Sequence, residues 1–145
     1  MGEYELWSTT VTTSDEVRLI ELPLRTDGRG SLTFAQEGDQ FPFTCRRTFW
    51  LHGMSEGATR GGHAHRSQHQ LVVLVAGVCK CVAETWGKKS TFRLDSPSKA
   101  LYVPPLVWLD LSDFSAGAVC LVLTSDVYDE TDYIRDHSEF RRSVS

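Results

Sequence analysis

Arg60-Gly61-Gly62-His63-Ala64-His65-Arg66-Ser67-Gln68-His69-Gln70 runs straight into the apolar stretch Leu71-Val72-Val73-Leu74-Val75. The second stretch reads as a strand buried on both faces. The first holds three of the chain's five histidines. Side chains on a strand alternate between faces, so His63 and His65 project together, while the small Ala64 leaves the opposite face easy to pack. A lone histidine is more often structural than functional. Two at i and i+2 beside a glycine pair mark a site, and paired imidazoles suit either metal ligation or acid–base chemistry.

Outward from this stretch, the chain is a series of short β-rich runs separated by turn signals. Val17–Leu24 ends at Pro23 and the Thr26-Asp27-Gly28 turn; Ser31–Phe34 precedes Gly38-Asp39; Arg46–Leu51 precedes Gly53. Val78–Trp86 stops at Gly87-Lys88-Lys89, and Thr91–Leu94, Ala100–Val103, Val107–Leu111 and Ala118–Leu123 follow. Short strands at roughly ten-residue spacing predict an all-β sandwich or barrel. Pro104-Pro105 places a turn between two of them. The tail changes character. Asp129-Glu130-Thr131-Asp132 reads as a helix start with acidic groups near the N-terminal dipole, and Tyr133, Ile134, His137 and Phe140-Arg141-Arg142 continue at helical spacing. One short C-terminal helix is expected there.

A chain of 145 residues fits one domain, with residues 1–16 as a polar extension and 17–145 as the folded unit. Hydrophobic residues make up 41% and charged residues 23%, which is ordinary globular composition. Fifteen basic against nineteen acidic residues give a net charge of −4, so the basic footprint of a nucleic-acid binder is missing. No apolar run is long enough to span a membrane, Met1–Asp15 has no signal-peptide core, and Leu6 stands where a myristoylation signal wants Ser or Thr. Cys45, Cys79, Cys81 and Cys120 lie in or beside apolar runs, and Cys79-Lys80-Cys81 has the wrong spacing for a redox or zinc pair. Reduced core thiols in a cytoplasmic protein are expected.

Gly57, His63-Ala64-His65, Gln70 and Gly77 stand at the spacing of the first cupin motif, which they resemble. Metal-binding cupins usually have Glu where Gln70 stands, and the histidine of their second motif maps onto Leu109. Leucine cannot ligate and Gln70 is a weak neutral ligand; His69 could substitute in principle. No bound metal and no other cofactor are expected. The likeness narrows further. Asp27-Gly28-Arg29-Gly30-Ser31-Leu32, Pro42-Phe43, Arg47, Arg60-Gly61-Gly62-His63-Ala64-His65 and Ser125-Asp126-Val127-Tyr128-Asp129-Glu130-Thr131-Asp132-Tyr133-Ile134-Arg135 appear in order. Together they resemble the dTDP-4-keto-6-deoxyglucose 3,4-ketoisomerase (WxcM-like) family.

That resemblance implies a cupin jelly roll over 17–145, a homodimer, and a metal-independent cytoplasmic enzyme. Its partner would be a dTDP-linked keto sugar. His63 would be the base at carbon and His65 would shuttle a proton between the C3 and C4 oxygens, with Arg60 or His65 opposing the charge that develops on oxygen. Arg29, Arg46, Arg47 and Arg60 lie on segments flanking the histidines and are candidates for the diphosphate, since guanidinium forks suit phosphate oxygens; Arg47 and Arg60 match family positions, and Arg46 reads better as a solvated charge. Gln70, in the first motif, is expected to bind the substrate, and Trp108, beside the second, to line the sugar or base pocket. Phe49 replaces a tyrosine that close relatives often carry, and Leu109 replaces a His or Arg that bears on configuration at C4. Related 3,5-epimerases use a His–Asp dyad with a Tyr acid, a pattern not visible in this sequence. A non-catalytic sugar-nucleotide binding cupin is the other alternative, kept open by Phe49 and Leu109.

Overall fold

Strand periodicity of two governs the observed architecture. The structure, a computed structural model, describes residues 16–145; nearly all of the polar extension expected at 1–16 lies outside them. The strands are β1 (Arg18–Glu21), β2 (Leu24–Asp27), β3 (Gly30–Thr33), β4 (Arg47–Leu51), β5 (Arg60–His65), β6 (Gln70–Ala76), β7 (Cys79–Thr85), β8 (Lys88–Leu94), β9 (Lys99–Val103), β10 (Trp108–Ser112), β11 (Val119–Thr124) and β12 (Tyr133–Ile134). A 3-10 turn spans Glu130–Asp132, and the single helix, α1, is His137–Val144. Two five-stranded sheets form, ordered β1-β9-β6-β11-β4 and β12-β5-β10-β7-β8, with β2-β3 as a separate hairpin. This is the all-β sandwich with one short C-terminal helix that the strand spacing predicts.

Alternate residues of both sheets build the core. Val72, Leu74, Leu101, Val103, Leu109, Leu111, Cys120 and Val122 meet between the sheets with Cys79 and Cys81. Their neighbours Leu71, Val73, Ala100 and Tyr102 point outward and pack under Leu22, Phe41 and Phe43. β6 is therefore apolar on both faces up to Leu74, as its composition predicts; Val75, at 43% exposure, already leaves the core. On the other sheet Ala64 and Trp108 pack against Ile134 and Phe140, so α1 covers the back of β5.

Several boundaries differ from the sequence reading: β8 already begins at Lys88, inside the expected Gly87-Lys88-Lys89 turn, and two further differences shape the frame of the site. Val17–Leu24 is not one strand: β1 pairs with β9 and β2 with β3, because Pro23 has no N–H to carry the ladder on. The helix does not begin at Asp129. The Asp129 carboxylate accepts from the Thr131 N–H and closes only the 3-10 turn. Tyr133 and Ile134 are then drawn into an extended pairing with His65 and Ala64, and α1 starts afresh with Asp136 as its N-cap, accepting from the Glu139 N–H. Burying Ile134 fully in the sheet outweighs its weak helical preference.

Candidate active site

The glycine pair shapes the strand that carries the histidines. Gly61 and Gly62 have φ of 83° and 73°, a region open to glycine and strained for other residues. The register between β10 and β5 shifts between Leu109 and Asp110, so the pair sits in a β-bulge. A Cβ on Gly61 would run into the Leu109 carbonyl oxygen. The bulge sets His63 directly across from Leu109.

His63 lines a cavity of about 310 Å³ between the sheets, with Arg60, Gln70, Phe49, Leu109, Tyr133 and Arg135 among its walls. Six strands thus converge on one space: β4 brings Phe49, β5 His63, β6 Gln70, β10 Leu109, β11 Val122 and β12 Tyr133. Burial pushes the His63 imidazole below its ordinary pKa, with the Arg135 charge adding to the shift and the Gly61 backbone, Asp110 and Glu130 opposing it. Its Nδ1 is buried with no hydrogen-bond partner among the described residues. A neutral imidazole at the wall of a cavity can accept a proton from a bound molecule.

His65 stands beside it, the ring centroids 5.0 Å apart and the planes at 89°. It is buried at 5% exposure and does not line the cavity. Its Nδ1 lies 3.1 Å from Asp132 Oδ2 and its Nε2 lies 3.3 Å from the Gln68 amide Nε2. Asp132 is fixed in turn, its Oδ1 accepting from the Ser67 N–H at 2.8 Å and the Ser67 hydroxyl at 2.9 Å. Burial and the neighbouring His63 bring the His65 pKa down to about 4, against the pull of Asp132. The ring is therefore neutral near pH 7, with Nδ1–H donated to Asp132 and Nε2 accepting from Gln68. Burial pushes the Asp132 carboxyl up, but the bonds from Ser67 and His65 prevail and hold it below the usual range.

The other expected residues divide. Phe49, Arg60, Gln70 and Leu109 reach the cavity. Arg47 sits next to it, with its guanidinium 4.9 Å from the Phe49 ring centroid and 5.5 Å from that of Tyr128; Nε and one Nη are buried without a partner among the described residues. Trp108 does not line the cavity. Neighbours on a strand face opposite ways, so Leu109 inward puts Trp108 outward, against Phe140 and His137. Arg29 is on the β2–β3 hairpin, 91% exposed and paired with Asp27 at 2.7 Å, away from the cavity lining. His69, the candidate stand-in ligand, turns to the outer face of the first sheet, where its Nδ1 is 2.8 Å from the Tyr102 hydroxyl. Among the described residues no group of three or more His, Cys, Asp or Glu side chains is placed to hold a metal ion.

The sequence reading missed Gln68, Asp132, Tyr133 and Arg135. The expectation that no His–Asp dyad with a nearby tyrosine exists is corrected by His65, Asp132 and Tyr133. The signal lay in Asp129–Arg135, but a helical reading of that segment hid it. An extended segment there sets Tyr133 against His65.

Comparison with known proteins shows the family. Residues 15–145 match the FdtA family, described as WxcM-like, C-terminal. The TDP-4-oxo-6-deoxy-alpha-D-glucose-3,4-oxoisomerase of Aneurinibacillus thermoaerophilus is 36% identical over 130 residues, covering 90% of this chain and 94% of that one. A mutant of the 3,4-ketoisomerase QdtA from Thermoanaerobacterium thermosaccharolyticum, solved with TDP-4-keto-6-deoxyglucose, superposes with a TM-score of 0.85 at 34% identity, covering 88% of this chain and 93% of that one. A 3,4-ketoisomerase from Helicobacter canadensis gives 0.86 at 30% identity, covering 90% and 98%.

Proposed function

We propose, on the premise that this chain belongs to the FdtA (WxcM-like, C-terminal) family, that it moves the keto group of a dTDP-linked 4-keto-6-deoxyhexose from C4 to C3. The chain is an isomerase. The observation that carries the reading is a neutral His63 at the wall of a cavity sized for one sugar, in a chain 36% identical to a named 3,4-oxoisomerase.

The ketone at C4 acidifies the C3 hydrogen. His63 takes that proton and an enediolate forms; the proton on the C3 oxygen passes to the C4 oxygen while C4 is protonated, leaving the ketone at C3. Neither oxidant nor cofactor is consumed, and the pair of imidazoles needs no cation. His65, buried beside His63 and outside the cavity wall, carries the oxygen-to-oxygen proton once the Gln68 amide gives up its Nε2 and the ring reaches the bound sugar, and Asp132 steadies the imidazolium that results. Arg60 and Gln70 face the charge that builds on oxygen. Arg47, with unpartnered N–H groups beside Phe49, suits a phosphate oxygen; Arg60 suits the other.

The working unit is a homodimer. A groove of about 740 Å³ on the outer face of the first sheet, walled by Leu22, Leu24, Val73, Val75, Leu121 and Leu123, supports this reading, because an open apolar face favours a second copy. Arg29 would act only within such an assembly. A cytoplasmic setting is supported by the unpaired Cys45, Cys79, Cys81 and Cys120. Among the described residues no helix is long and apolar enough to cross a membrane.

The deciding experiment incubates purified protein with TDP-4-keto-6-deoxyglucose and traps a 3-keto product with a 3-aminotransferase. A 3-amino sugar is expected, and its configuration at C4 reports what Leu109 does. Inversion at a ring carbon without keto transfer would make the protein an epimerase. Binding without turnover would make it a sugar-nucleotide binding cupin.

A further inference from the structure

Tyr133 has no part in the chemistry above, yet it touches both imidazoles. Its ring centroid is 4.9 Å from that of His63 and 4.3 Å from that of His65, at 58° to each plane. Two independent restraints hold it. Its backbone pairs with His65 across β12 and β5. The Arg135 guanidinium lies over its ring, 4.2 Å from the centroid, and Glu130 grips that guanidinium twice, at 2.6 Å to Nε and 3.0 Å to Nη2. Glu130 also accepts from the Tyr128 hydroxyl at 2.7 Å, and the Tyr128 ring lies 5.7 Å from Tyr133. Arg135, Tyr133 and His63 share the cavity wall.

We propose that Tyr133 is a positioning residue for the isomerase reaction, its ring bracing the His63 and His65 imidazoles in their edge-to-face arrangement while Glu130, through Arg135, locks that ring in place. The inference rests on the proposed ketoisomerase reading for its kinetic part only. His65 is tethered at its nitrogens by Asp132 and Gln68, whereas His63 has no hydrogen bond at Nδ1 among the described residues. Ring contacts with Tyr133 and His65 therefore bear on the angle of the His63 imidazole. A shift of about an ångström in a proton-abstracting group costs on the order of a hundredfold in rate.

The test uses Tyr133→Phe, Tyr133→Leu and Arg135→Met, read in two ways. The first is a titration of the His63 and His65 ring resonances by NMR in the free protein, which needs no turnover. The charged and titratable groups facing the pair are Arg47 on β4, Asp110 on β10, and Glu130, Asp132, Tyr133 and Arg135 on the C-terminal segment. Tyr133→Phe keeps the ring and keeps both histidine midpoints near those of the parent; Tyr133→Leu displaces them. The second is steady-state kinetics with TDP-4-keto-6-deoxyglucose. Tyr133→Leu is expected to lose about tenfold to a hundredfold in kcat with little change in KM, Tyr133→Phe to recover most of that loss, and Arg135→Met to fall between. The proposal is overturned if Tyr133→Phe is as impaired as Tyr133→Leu, since the hydroxyl and not the ring would then matter. It is equally overturned if Tyr133→Leu, or Tyr133→Met where the leucine variant does not fold, leaves both midpoints where they were. Lack of turnover in the parent protein would sink the ketoisomerase reading and leave the titration to decide this one.

Discussion

His65 Nδ1 and Asp132 Oδ2 lie 3.1 Å apart although the residues are 67 positions apart in the chain. The contact fixes the His65 tautomer, because only a protonated Nδ1 can donate to a carboxylate. It also ties the C-terminal segment to the strand that carries both histidines. Asp132→Asn should keep the fold and lower kcat by roughly tenfold or more, since an amide tolerates the wrong tautomer. Comparing kcat and KM of the two proteins checks this, and equal kcat values would remove Asp132 from the machinery.

His63 is expected to be indispensable. His63→Asn should lower kcat by about a hundredfold to ten-thousandfold, the usual worth of a positioned general base, while circular dichroism and the melting temperature stay near those of the parent. Turnover in deuterated water should place deuterium at the new ring carbon. Undiminished activity in the variant would assign the base elsewhere.

Stability should depend on pH through His65. Its pKa is about 4 in the folded chain against 6.5 for the free side chain, so between these values the unfolded chain binds the extra proton. The folded state then loses stability as pH falls through 6.5, and the loss levels off below about 4, reaching roughly 3 kcal/mol. His63 is shifted in the same direction and adds to the loss. Urea unfolding at pH 7 and pH 4.5 measures it, and His65→Gln should flatten the difference.

Chelation should leave the reaction untouched. Overnight dialysis against EDTA followed by the aminotransferase-coupled assay should return the starting rate; activity lost and then restored by zinc or iron would demand a metal step.

Phe140 fastens α1 to the back of β5. It is fully buried against Trp108, 5.6 Å between centroids, and belongs to the cluster with Ala64 and Ile134. Phe140→Ala should cost about 3–5 kcal/mol, seen as a lowered denaturation midpoint. Because Ile134 follows Tyr133 in β12, kcat should fall as well.

The period-two pattern of apolar residues was enough to predict the sandwich, and His63-Ala64-His65 on a strand was enough to predict two imidazoles on one face. That Phe49, Arg60, Gln70 and Leu109 share one cavity with His63 was also legible, because the motifs lie on strands whose inward face follows from alternation. Trp108 was misplaced by one position of that same alternation, and Arg29 lies on a hairpin whose packing no local pattern reports.

Local sequence determines which face a side chain takes and where a strand must bend, since those depend on backbone sterics and the neighbours of each residue. It does not determine what meets that face. Asp129–Arg135 has the composition of a helix start, and only pairing with β5, which buries Ile134 and brings Asp132, Tyr133 and Arg135 to the histidines, turns Tyr133–Ile134 into a strand after the 3-10 turn. That pairing joins segments far apart in the chain and is favoured by burial that exists only once both sheets have formed.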